Sequence, residues 1–170
     1  HQAHAIEEIV RACQALAQRR VGALIAIERE LQTDEFVEDG TVLDAELSRD
    51  LLISLFLPYS PLHDGAVVVR RGRVFSAGCI LPLATRGDLP SAFGTRHRAA
   101  IGLTEETDAL VVVVSEESGR IALVASGEIR PDLDGPRLRQ ALLELTGGEP
   151  SVETPTDKDV VADPARALET

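Results

Sequence analysis

The sequence predicts a single α/β domain, with a central mixed β-sheet flanked by helices on both faces. Three observations predict it. Segments with helical apolar spacing alternate with short runs of Val, Ile, Leu and Ala, the pattern of helices layered on a sheet. Two of those runs are joined by Arg71-Gly72, a hairpin-type turn, so the sheet is not purely parallel. The length, 170 residues, suits one domain with one core, and scarce aromatics leave that core to aliphatic side chains.

The elements follow in order. Ile6, Ile9, Val10, Cys13, Leu16 and Ala17 recur at helical spacing and predict a helix over 5–19. An apolar run between Arg20 and Arg29 predicts a strand over 21–28. Residues 33–41 are polar, with Gly40 marking a turn. A second amphipathic helix is predicted over 44–57, stopped by Pro58. Strands are predicted over 67–70 and 74–81, and a loop with Gly87 and Pro90 over 84–93. A helix over 95–105 starts with Thr95 as N-cap. Four consecutive valines in 108–115 predict a central strand buried on both faces. Gly119 turns it into a strand over 121–125, and a last helix over 134–145 stops at Gly147. The domain therefore spans 5–147. Residues 148–170 are polar, acidic and Pro-containing, and are expected to be disordered.

Composition excludes several classes. The formal net charge is −11 and there is no basic tract, which argues against a nucleic-acid partner. No apolar run approaches the ~20 residues that span a bilayer, and no signal peptide is visible. The chain holds no Met and begins His1-Gln2, so it reads as an excised or processed segment that anything, a membrane anchor included, could precede. Cys13 and Cys79 have no metal-type spacing and read as buried, reduced thiols. There is no G-x-x-x-x-G-K-[ST] and no G-x-G-x-x-G, and the only lysine is Lys158. A nucleotide site must then use arginine and backbone N–H groups.

Three clusters could carry chemistry. Gly94-Thr95-Arg96-His97-Arg98-Ala99-Ala100 puts three basic side chains at a helix start. The helix dipole disfavours cations there by roughly 0.3–1 kcal/mol each. The placement makes sense if an anion such as phosphate occupies the site. A solvated helix start paired with Glu105 and Glu106 is the plainer account. Arg96 and Arg98 are two residues apart and point to different sides of a helix. His63-Asp64-Gly65 could bind a divalent metal through imidazole and carboxylate, with Gly65 allowing close approach to the backbone; Asp-Gly is also a common turn. Ser115-Glu116-Glu117-Ser118-Gly119 ends the buried strand where α/β sheets place ligands, although a solvated turn accounts for it as well.

Together these pieces resemble the diadenylate cyclase (DAC domain) family. Asp64-Gly65-Ala66 and Arg96-His97-Arg98 match its two signatures, in order and at its spacing. Gly78-Cys79-Ile80-Leu81-Pro82-Leu83 and Ser115–Gly119 match as well. The resemblance covers about 5–146 and is nearest the single-domain, membrane-tethered type, as Gly22-Ala23-Leu24-Ile25-Ala26-Ile27-Glu28 supports. It implies condensation of two ATP into cyclic di-AMP with release of two pyrophosphates, assisted by Mn²⁺, Mg²⁺ or Co²⁺, across a face-to-face homodimer. By the resemblance, Asp64 is catalytic and, with His63, holds the metal. Gly65, Ala66, Leu81, Thr95, Arg96, His97, Ser115 and Glu117 bind ATP, and Arg98 either assists or braces the loop. Some relatives carry an aromatic where Ile80 stands, so aliphatic packing replaces stacking on adenine. The resemblance also implies a cytoplasmic domain of a membrane-anchored bacterial protein, with a membrane regulator and a sugar-phosphate mutase as partners. Two rival readings are a catalytically silent nucleotide-binding regulatory module and a metal-dependent phosphohydrolase, the latter weakened by the scarcity of histidines.

Overall fold

The computed structural model describes residues 2–147. The expectation for 148–170 lies outside the described residues. Helix α1 (Gln2–Gln18) leads into β1 (Ala23–Ile27), β2 (Glu38–Glu46), α2 (Arg49–Phe56), β3 (Ala66–Arg70), β4 (Arg73–Ile80), α3 (Thr95–Glu106), β5 (Leu110–Val114), β6 (Ile121–Ala125), β7 (Glu128–Leu133) and α4 (Gly135–Leu145). The seven strands form one sheet in the order β2-β4-β3-β1-β5-β6-β7. Only β1 and β3 are parallel, in the register Ile25 to Val67; every other neighbour pair is antiparallel. The mixed sheet with helices on both faces is as the sequence predicts.

The strand pattern explains the layering. β1, β3 and β5 are nearly all buried, so alternate side chains feed two cores. Ile25, Val67, Val69, Val112 and Val114 pack with α1, α2 and α4 on one face. Leu24, Ala26, Val68, Val111 and Val113 pack with Ala100, Ile101 and Leu103 of α3 on the other. Burial pushes the Cys13 thiol up to about 12, so it stays protonated in the first core.

Two strands escape the sequence pattern. β2 was expected to be a turn and the start of a helix at 44; the helix starts at Arg49, with the Ser48 hydroxyl accepting from Leu51 N–H (3.1 Å) and the Glu8 carboxylate accepting from Arg49 N–H (2.7 Å). β2 is an exposed edge strand with left-handed residues at Asp39, Gly40 and Asp44 and a register shift between Val42 and Ala45. Asp44 is held by Arg73, whose Nε donates to its carboxylate (2.9 Å) and whose NH2 donates to its carbonyl (2.7 Å). β7 contains Pro131, which an edge strand tolerates. The Arg71-Gly72 turn is as expected, with both residues at positive φ (51° and 72°).

Candidate functional site

A cleft of about 680 Å³ opens where the end of α1, the start of β1, the loop before β3, the end of β4 and the start of α3 converge. That is a volume suited to a small organic ligand. His63, Asp64, Gly65, Leu81, Thr95 and Arg96, six of the eleven expected site residues, line it.

The loop over 57–65 builds one pole. Ser60 N–H donates to the Leu57 carbonyl (2.9 Å) and His63 N–H to the Ser60 carbonyl (3.2 Å). The Ser60 carbonyl also receives His63 Nδ1 at 2.7 Å. A carbonyl can only accept, so Nδ1 carries the proton and the other ring nitrogen faces outward. That Nε2 lies 3.3 Å from Asp64 Oδ1, and the Asp64 side chain is 89% exposed at the cleft rim. Nε2 and the Asp64 carboxylate thus face one another across 3.3 Å, close enough to share a proton or a cation. The donor set, one imidazole nitrogen and one carboxylate, with the ring aimed by its second hydrogen bond, fits a divalent metal. No group of three or more protein ligands occurs among the described residues, so substrate oxygens or waters would complete the coordination.

Gly65 has φ of 105°, and a Cβ there would sit 2.6 Å from the Cys79 carbonyl oxygen. Glycine is required by its own backbone and by the β4 chain, rather than by a ligand alone. Ala66 is fully buried in the second core and paired with Cys79, so its side chain does not line the cleft. Leu81 is 4% exposed at the cleft wall, flanked by Ile80 and Leu83, which are about half exposed and line it too.

α3 supplies the opposite pole. Its N-cap is Gly94, not Thr95, and no side chain caps it. The extended backbone of Gly94 (φ −80°, ψ −172°) starts the helix one residue early. The Thr95 hydroxyl is thereby left exposed at the cleft, and the first intrahelical bond is from Arg98 N–H to the Gly94 carbonyl (3.2 Å). The N–H groups of Thr95, Arg96 and His97 thus form an uncapped, partly positive end that suits an anion.

The expected phosphate residues divide at Arg96. Its guanidinium reaches Glu116 Oε2 at 3.6 Å. Beyond that pair, His97, Ser115 and Glu117 line a smaller adjoining hollow of about 300 Å³. His97 stacks on Phe93 with ring centroids 5.1 Å apart. Burial, and secondarily the Arg96 charge, holds its pKa below the usual imidazole value. The Ser115 hydroxyl accepts from Ser118 N–H at 3.3 Å. Arg98 lines neither hollow; its carbonyl accepts from Ala84 N–H at 3.0 Å, tying α3 to the chain after β4.

The cleft also holds Arg19, Arg20 and Gly22, to which the sequence assigns no site role, and Glu116 from the Ser115–Gly119 cluster. Arg20 ends α1 in the left-handed region (φ 51°) and donates to the Glu117 carbonyl at 3.3 Å. The available signal was the Arg19-Arg20 doublet ahead of β1, which reads from sequence only as a strand boundary.

Fold and cleft define an α/β domain with one polarised pocket, a carboxylate–imidazole pair at one pole and a guanidinium with a bare helix N-terminus at the other. The chain belongs to the DAC family, the DisA bacterial checkpoint controller nucleotide-binding family, which matches residues 10–129. It is 43% identical over 155 residues to the diadenylate cyclase of Listeria monocytogenes, covering 89% of this chain and 57% of the relative. It is 41% identical over 137 residues to the cyclic di-AMP synthase CdaA of Bacillus subtilis, covering 81% of this chain and 50% of that one. The chain thus spans about half the length of these relatives. Among solved structures, DacA from Staphylococcus aureus superposes with a TM-score of 0.80 at 38% identity, covering 84% of this chain and 95% of that chain. A hypothetical membrane spanning protein from Bacillus cereus gives 0.73 at 45% identity, covering 74% and 62%. Among the described residues, no helix is long and apolar enough to cross a membrane.

Proposed function

We propose that this chain is the catalytic domain of a diadenylate cyclase, condensing two ATP into cyclic di-AMP and two pyrophosphates when two copies meet face to face. The observation that carries the reading is the polarity of the cleft. An imidazole–carboxylate pair at the exposed rim and an uncapped helix start bearing Arg96 share one pocket of nucleotide size. The names of relatives over 40% identical support the same chemistry.

Each product linkage forms when a ribose 3′-oxygen attacks an α-phosphorus in line; the 3′-O–P bond forms, the bond to the β-phosphate oxygen breaks, and pyrophosphate leaves. A divalent cation held by His63 and Asp64 would supply positive charge where negative charge develops. The Asp64 carboxylate, at the rim, takes up or directs the 3′-hydroxyl proton. Leu81, Ile80 and Leu83 form an aliphatic wall against adenine. The Thr95, Arg96 and His97 N–H groups, the Thr95 hydroxyl and the Arg96 guanidinium hold the triphosphate, whose tail runs toward His97, Ser115 and Glu117. In this reading the second nucleotide is presented by a second copy, across the open rim where the reacting pole lies. Holding the two ATP in register is the main contribution of such a pairing.

The test is incubation of the purified chain with ATP and Mn²⁺, with products separated and weighed by mass spectrometry. Cyclic di-AMP and pyrophosphate in a 1:2 ratio are expected. ATP bound but unchanged, or ADP with free phosphate, would contradict the reading.

A further inference from the structure

We infer that Gly22 is a positioning residue for Arg96: its missing side chain is the seat of the guanidinium at the phosphate pole. Gly22 is buried at the head of β1, and its φ is not positive, so its backbone does not call for glycine. What forbids a side chain there is Arg96. A Cβ built on Gly22 would lie 2.5 Å from NH1 and 2.7 Å from NH2, with Cζ nearer still. Those are the nearest heavy atoms to that position, and all three belong to the end of one flexible side chain.

The contrast with Gly65 is informative. There a Cβ would strike the β4 backbone, which cannot move without disturbing the sheet. At Gly22 the nearest obstacle to a methyl group is the guanidinium, the end of a flexible side chain that can give way. Arg96 sits between this floor and the Glu116 carboxylate 3.6 Å away, on the first turn of the uncapped helix α3. A methyl group needs roughly 3.5–4 Å of separation, so the head must move by about 1 Å or more. A fork that donates two parallel hydrogen bonds to phosphate does not tolerate such a shift without losing one of them.

The inference rests on the cyclase reading only for the identity of the anion. The experiment is a double-mutant cycle of Gly22→Ala and Arg96→Ala, read by calorimetric titration with ATP and Mn²⁺, by KM and kcat, and by the urea midpoint of each variant. Gly22→Ala is expected to keep the wild-type midpoint, to weaken ATP binding about tenfold and to raise KM more than it lowers kcat. In the Arg96→Ala background it is expected to cost nothing further. Equal losses in both backgrounds, or wild-type binding by Gly22→Ala, overturn the inference. Wild type that binds ATP without forming a cyclic dinucleotide sinks the cyclase reading and leaves the cycle decisive for Gly22. Wild type that binds no ATP overturns both.

Discussion

Gly102 sits in the middle of α3, where helix propensity alone favours alanine by about 0.8–1.0 kcal/mol. The packing points the other way. A Cβ on Gly102 would lie 2.7 Å from the Pro82 carbonyl carbon and 2.9 Å from Ala84 N, with the Pro82 oxygen closer than either. All are backbone atoms of the segment that carries Leu81 and Leu83 into the cleft, so no rotamer change relieves the overlap. α3 or that segment must move by about 1 Å or more to regain van der Waals distance. Overpacking of this kind costs about 1–3 kcal/mol. The Ala84 to Arg98 backbone bond lies across the same contact, and its weakening adds about 0.5–1.5 kcal/mol. Set against propensity, Gly102→Ala is expected to destabilise by about 0.5–4 kcal/mol, some 2–4 °C of melting temperature per kcal/mol at this size. Urea unfolding of both proteins measures it. A variant as stable as wild type or more so, with an unchanged m-value, would show that propensity wins and that the helix is not seated on Pro82 as described.

Asp64→Asn is expected to lower cyclic di-AMP formation at least about 10²-fold, and to leave stability within about 0.5 kcal/mol because the side chain is 89% exposed; substantial product from this variant would remove Asp64 from the chemistry. Glu28, its side chain 3% exposed, accepts from Arg70 Nε and NH2 and from the Thr33 N–H and hydroxyl. Burial is the largest single influence and pushes its pKa up, but the Arg70 and Thr33 bonds together outweigh it and hold the carboxyl below its usual value. Its stabilisation is therefore present above pH about 4.5 and lost as pH falls toward the folded-state value. Glu28→Gln should cost about 1.5–3 kcal/mol at pH 7, less at pH 3, and an equal loss at both would refute the assignment. For His97 the folded pKa lies below that of the unfolded chain. The unfolded chain thus binds more protons just below pH about 6.5, and stability must fall as pH drops through that window. His97→Gln should flatten the fall of the urea midpoint between pH 7.5 and 5.5, measured without nucleotide; an unchanged slope would assign it to other groups.

Where the sequence was legible, one physical signal governed each element. Four valines at 111–114 define a strand buried on both faces, and the last helix begins where it is predicted, at Asp134, which caps it by accepting from Arg137 N–H at 2.9 Å. β2 was illegible because its acids and Gly40 have low strand propensity and its pairing depends on left-handed residues and an ion pair to Arg73, which no local period announces. β7 hid behind Pro131, although Ser126-Gly127, both at positive φ, is a hairpin turn that could have revealed it. The two poles of the cleft were visible as motifs, since His63-Asp64 and Thr95-Arg96 are local in sequence. Arg20 and Gly22 were not, because their part in the cleft depends on the end of α1 and the start of β1 meeting α3.

The central claim is that chemistry needs two copies, each presenting one cleft. Cyclic di-AMP formation with ATP and Mn²⁺, followed across a dilution series with the dimer fraction measured in parallel by light scattering, tests it most directly. Specific activity is predicted to track the dimer fraction and to vanish as the chain becomes monomeric. Undiminished specific activity in a solution of monomers would contradict the account.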